Sequence, residues 1–120
     1  MSSNFHFTFK NLEQQYKLAL DAGYEVLTCA DYVERKDKLP QLVIVNRVDI
    51  DMSVKKADRL REIFDRLSIK ASFFIRLHAS EYNPFSFENY RILKSIRDSG
   101  HEIGYHSEII DQAVIWNEDA

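Results

Sequence analysis

"QLVIVN", Gln41 to Asn46, is a nearly continuous aliphatic run that follows Pro40. Such a run suits a strand covered on both faces, as in a parallel sheet. Two downstream stretches read the same way: "KASFFI", Lys70 to Ile75, and "HEIGY", His101 to Tyr105. Between the first two, Ser53 is a good cap for a helix from Val54 to Leu67, with Ala57, Leu60, Ile63, Phe64 and Leu67 facing a core. After a polar loop with Pro84, Ser86 caps a second helix with Phe87, Tyr90, Leu93 and Ile96 predicted inward. Gly100 then stands where a left-handed C-terminal cap is wanted. From Gln41 onward the order is β-α-β-α-β, with connections long enough for crossover helices. That pattern predicts an α/β fold with a parallel sheet and right-handed crossovers.

Upstream, Thr8 is placed to cap a helix running to Ala22, with Leu12, Tyr16, Ala19 and Leu20 as its apolar stripe before Gly23. "YEVLT", Tyr24 to Thr28, reads as a short strand, and "DYVERKDK", Asp31 to Lys38, as a short exposed helix or turn. Residues 1–40 therefore read as a lead-in, and residues 41–120 as the body of the domain. Downstream, "IIDQAVIW" begins one more helix.

The net charge of -3 gives no electrostatic reason to expect nucleic acid or an anionic membrane as a partner. No apolar run approaches the roughly 20 residues a membrane helix needs. The opening "MSSNFHFTFK" lacks the apolar core of a secretory signal. Cys29 is the lone cysteine, so it has no intrachain disulfide partner and is expected to be a small buried hydrophobe. Together these features predict a cytoplasmic protein.

In parallel α/β folds, ligands and chemistry gather at the carboxyl ends of the strands. Asp49 and Asp51 follow the first core strand in "RVDIDMS"; Arg76, His78, Glu81 and Asn83 follow the second; His106, Ser107, Glu108 and Asp111 follow the third. Carboxylates and imidazoles from three strand ends can hold a zinc-type ion and leave one carboxylate as base. If the strand persists, Asp49 and Asp51 point to the same side, and two carboxylates there need a cation or a shared proton. The competing reading makes one of them a helix cap and the other a solvated charge. Arg76 and Asn83 fit either turn chemistry or substrate contacts. His101 lies at the far end of its strand and is assigned a structural role, while nothing ties His6 to the site. Phe85 and Trp116 read as core residues rather than sugar platforms.

Taken jointly and in order, "RVDIDMS", "KASFFI" and "GHEIGYHSE" resemble the polysaccharide deacetylase family, the NodB-homology domain of carbohydrate esterase family four. The resemblance runs from about Leu42 to Asp111. It implies part of a distorted, incomplete (β/α) barrel and a divalent metal, zinc being the expectation. It further implies metal-activated water attacking N-acetyl groups on a sugar or polysaccharide precursor. Carried over by position, it makes Asp49 the catalytic base, Asp51 and His106 metal ligands, and Ser107 the supporting hydroxyl beside the substrate. The family's second histidine falls on Ile110, which leaves the third ligand to His78 or Glu108, with Asp111 behind them. The family domain continues through further strands beyond the segment matched. The chain is therefore expected to be an incomplete portion of such a hydrolase, inactive by itself and covered by self-association or another partner. The alternatives are a non-catalytic sugar- or metal-binding module of the same fold, and a small α/β interaction domain whose acidic strand ends are helix caps.

Overall fold

The computed structural model describes residues 8–106. Helix α1 spans Phe9–Asp21, strand β1 Glu25–Leu27, helix α2 Cys29–Glu34 and strand β2 Val43–Val45. Strand β3 covers Arg47–Ile50, α3 Val54–Arg66, β4 Ser72–Ile75, α4 Phe87–Asp98 and β5 Glu102–Tyr105. The protein is an α/β fold in which every strand pairing is parallel. Strands β1 and β2 form one small sheet, and β3-β4-β5 form a second in that order. Among the described residues the two sheets do not close into a barrel.

The aliphatic run at Gln41 to Asn46 is not the first strand of the three-stranded sheet. Its middle, β2, pairs with β1, and the strand that joins the larger sheet is β3, one residue further on. Nor is β2 covered on both faces, for Val43 and Ile44 are half-buried and Val45 is exposed. The reason lies at Asn46. Its N–H donates to the Leu27 carbonyl at 2.8 Å, and its carbonyl accepts the Ser72 N–H at 2.8 Å. One residue thus closes one ladder and opens the next, so a single extended segment serves two small sheets. The Asn46 side chain is buried as well. Its Oδ1 accepts the Tyr16 hydroxyl at 2.5 Å, and its Nδ2 donates to the Lys70 carbonyl at 3.3 Å.

Alternation along β3 sends Ile50 into the core with Phe73 of β4, and Arg47 and Asp49 to the opposite face. Helices α3 and α4 cover the first face through Ile63, Phe64, Leu93 and Ile96. Helix α1 joins the same core, with the Tyr16 ring edge-on to Phe64 at 5.2 Å. Helix α1 is therefore packed into the domain. The caps at Thr8, Ser53 and Ser86 form as the sequence predicts, each side chain accepting the N–H three residues on. Gly100 takes φ 92°, a conformation that favours glycine.

Two packing expectations fail on α4. Phe87 and Tyr90 are exposed at 87% and 54%, while Leu93 and Ile96 are buried. At 3.6 residues per turn the buried stripe runs through Leu93 and Ile96 with Ile92 beside it, which leaves Phe87 on the far side of the helix. Cys29 is half-exposed rather than buried, because it is the first residue of α2 and its N–H donates to Ser72 Oγ at 2.8 Å.

His101 has the structural role assigned to it. It is 4% exposed, and its Nδ1 accepts the Ala71 N–H at 3.1 Å, which places the ring proton on Nε2, 2.9 Å from Asp65 Oδ1. Burial pushes the imidazole below its ordinary pKa, with Asp65 opposing and Lys70 and Arg61 assisting. The unfolded chain therefore takes up this proton first as pH falls. Stability from His101 is complete above the ordinary imidazole pKa and declines below it, toward the folded value. Urea midpoints should fall between about pH 7 and about pH 5 in the wild type, with a shallower slope in His101→Gln.

Asn46→Ala should cost about 2–4 kcal/mol in urea unfolding, because it leaves the part-buried Tyr16 hydroxyl and Lys70 carbonyl without these bonds. Tyr16→Phe, which removes only one of those bonds, should cost about 1 kcal/mol.

Candidate functional site

On the face of the three-stranded sheet turned away from α3 and α4, the rows of side chains are set by register. Arg47, Ser72 and Glu102 share one row, and Asp49, Phe74 and Gly104 the next. Beyond them His106 continues β5, its N–H donating to the Ile75 carbonyl at 2.7 Å.

The first row is closed off by α2. Ser72 is fully buried, takes the Cys29 N–H and donates its own hydroxyl to Glu102. Glu102 in turn accepts the Ala30 N–H at 3.1 Å. Two N–H groups that the start of a helix cannot satisfy internally thus find side-chain acceptors on the sheet. The carboxyl end of the face carries no such cover from α2. There Asp49 Oδ1 accepts Arg47 Nε at 2.8 Å, and Asp49 Oδ2 lies 3.8 Å from His106 Nε2. The latter distance is an electrostatic approach rather than a hydrogen bond.

Beneath the pair, the ring of Phe74 lies against Gly104. A Cβ at position 104 would come within 2.5 Å of Phe74 Cε1, so only glycine leaves room for the ring. The Arg47 guanidinium sits over the same ring at 4.3 Å from its centroid. Gly104, Phe74, Arg47, Asp49 and His106 therefore form one connected set drawn from three strands.

Asp51 lies just past the end of β3 and is exposed. Its carbonyl accepts Arg76 Nη1 at 3.1 Å, and that nitrogen also reaches Glu81 Oε1 at 2.8 Å. The Ser80 hydroxyl, the Glu81 backbone N–H and Arg76 together hold the Glu81 carboxyl below its usual pKa. Asn83 spends its Oδ1 on the Phe85 N–H at 2.9 Å, the turn that leads into α4. His78 is exposed in the loop after β4. Ser107, Glu108 and Asp111 lie outside the described residues. Among the described residues, no three His, Cys, Asp or Glu side chains gather closely enough to hold one ion. Asp49 and His106 are thus a pair there, and His78 does not complete a triad with them.

Both aspartates also border a groove of about 450 Å³ between β3, α1 and α3. Its walls include Phe9, Leu12, Met52 and Leu60, with Ser53 and Lys56 as polar neighbours.

Four contributors escape a reading of motifs. Tyr82 ties two strand ends together, its hydroxyl donating to the Ile50 carbonyl at 2.6 Å and accepting the Arg76 N–H at 2.8 Å. Nothing in the loop sequence singles it out. Arg47 was accessible in principle, since the alternation that groups Asp49 with Asp51 equally groups Arg47 with Asp49. Phe74 and Gly104 become partners only once the register of β4 and β5 is known.

No family model matches the chain, and no curated protein or solved structure matches it significantly either.

Gly104→Ala should destabilise the fold by about 1–3 kcal/mol through overpacking against Phe74. In a double-mutant cycle with Phe74→Ala, most of that penalty should disappear.

Proposed function

We propose that this chain carries one side of a polysaccharide deacetylase-like hydrolase site, directed at N-acetyl groups on sugars. The observation that supports it most is the approach of Asp49 and His106, 3.8 Å apart, from β3 and from the residue after β5. The approach falls at the carboxyl ends of parallel strands, where α/β folds assemble their chemistry. Sequence motifs resembling those of the family fall on the same residues.

In this reading Asp49 is the base. Its Oδ2 lies 3.8 Å from His106 Nε2 at the strand ends, and the carboxylate would accept the proton of a water as that water attacks an acetamide carbonyl. A divalent ion, zinc by expectation, would supply polarisation of the carbonyl, with His106 and Asp51 among its ligands. The described residues provide two such donors and not a full set. Further ligands would come from the segment after His106, where Glu108 and Asp111 stand in the sequence.

Titration calorimetry with Zn²⁺ tests this reading without requiring turnover. His106→Ala and Asp51→Asn should each weaken binding at least about tenfold, as losing one donor from a small set does. Binding indifferent to both substitutions would exclude the site.

A further inference from the structure

Helix α4 carries a second stripe, separate from the one that buries Leu93 and Ile96. Phe87, Tyr90, Lys94 and Arg97 recur at steps of three, four and three residues, the spacing that aligns side chains along one helix face. All four are exposed, Phe87 most of all at 87%. Glu88 belongs to another face and pairs with Lys55 of α3 at 3.0 Å. Along the stripe runs a groove of about 210 Å³, lined by Phe85, Tyr90, Lys94 and Arg97 over the more buried Leu93 and Ile103. Phe87 stands outside this groove. A large ring in solvent beside an apolar groove that it does not fill marks an interaction surface. The order of residues is also informative, with aromatics in the first half of the stripe and cations in the second.

We infer that this face is a contact between two copies of the chain, with α4 packed antiparallel against α4 of the second copy. In a two-fold pair centred midway between Tyr90 and Lys94, Phe87 of each copy lies opposite Arg97 of the other, and Tyr90 lies opposite Lys94. Every cation on the stripe then meets an aromatic ring, and each Phe87 meets the wall of the other copy's groove. A parallel pair would set ring against ring and place four like charges together, which costs affinity. The face is therefore complementary to itself in one orientation, and a contact of that kind closes at two copies. One helix from each copy makes a small interface, so the association is weak and depends on concentration. The contact lies apart from Asp49 and His106 and does not depend on the reading proposed for them.

Sedimentation velocity of the intact chain over a concentration series is the test. The wild type should pass from monomer to dimer as concentration rises. Arg97→Glu and Phe87→Arg should each weaken dimerisation at least about tenfold, because each alters two symmetry-related contacts. Both positions are exposed, so both variants should keep the wild-type circular dichroism spectrum and urea midpoint. An equimolar mixture of the two variants should dimerise again. There the new carboxylate faces the new guanidinium, while the other Phe87–Arg97 contact remains native. Variants impaired singly and not restored by mixing would overturn the antiparallel pairing. A wild type that stays monomeric throughout, or a dimer that neither substitution weakens, would overturn the assignment of this face to a second copy.

Discussion

Asn46 is the residue on which the arrangement of the chain depends. Its backbone passes the extended segment from β1 to β4, through the Leu27 carbonyl on one side and the Ser72 N–H on the other. Its amide side chain binds Tyr16 of α1 and the carbonyl of Lys70, just before β4. A buried amide is costly unless its hydrogen bonds are made, and these bonds can be made only in one arrangement of four segments. The position therefore specifies the junction more than it adds stability. An aliphatic residue there would suit the strand but would take a hydrogen bond from each of two part-buried polar groups.

The junction decides which side chains of the sheet face away from α3 and α4. With Asn46 turned toward α1 and the core, alternation puts Ile50 among the helices and Arg47 and Asp49 on the opposite side. A slip of one residue would exchange those sets and bury two charges. From the same register follow the row Asp49–Phe74–Gly104 and the approach of His106. At the other end of the face, Ser72 and Glu102 are used to hold the start of α2. One end of the sheet is thus committed to structure, and the other is where carboxylate, imidazole and guanidinium meet.

Much of this was legible in the sequence, because local signals and global packing agree over most of the chain. The helix caps at Thr8, Ser53 and Ser86, the left-handed Gly100, the strands at Ser72–Ile75 and Glu102–Tyr105 and the parallel order all follow from residue type and spacing. The structural role of His101 followed from its distance from the strand's far end. Hidden from the sequence was whatever depends on register between distant segments. "QLVIVN" reads as one buried strand because its residues are aliphatic, and nothing local shows that Asn46 divides two sheets. Phe87 and Tyr90 read as core because they are aromatic, yet both are exposed on the helix that buries Leu93 and Ile96. Likewise Arg47 shows its importance only after Phe74 and Gly104 are brought beneath it.

Native-state amide hydrogen exchange at Asn46 and Ser72, read by NMR, tests the central claim most directly. If Asn46 locks the two sheets into one unit, both amides should exchange only through global unfolding, with matching opening free energies. If Ser72 instead opens at a much lower free energy while Asn46 remains protected, the sheets open independently. The junction would then not be what holds the site-bearing face in place.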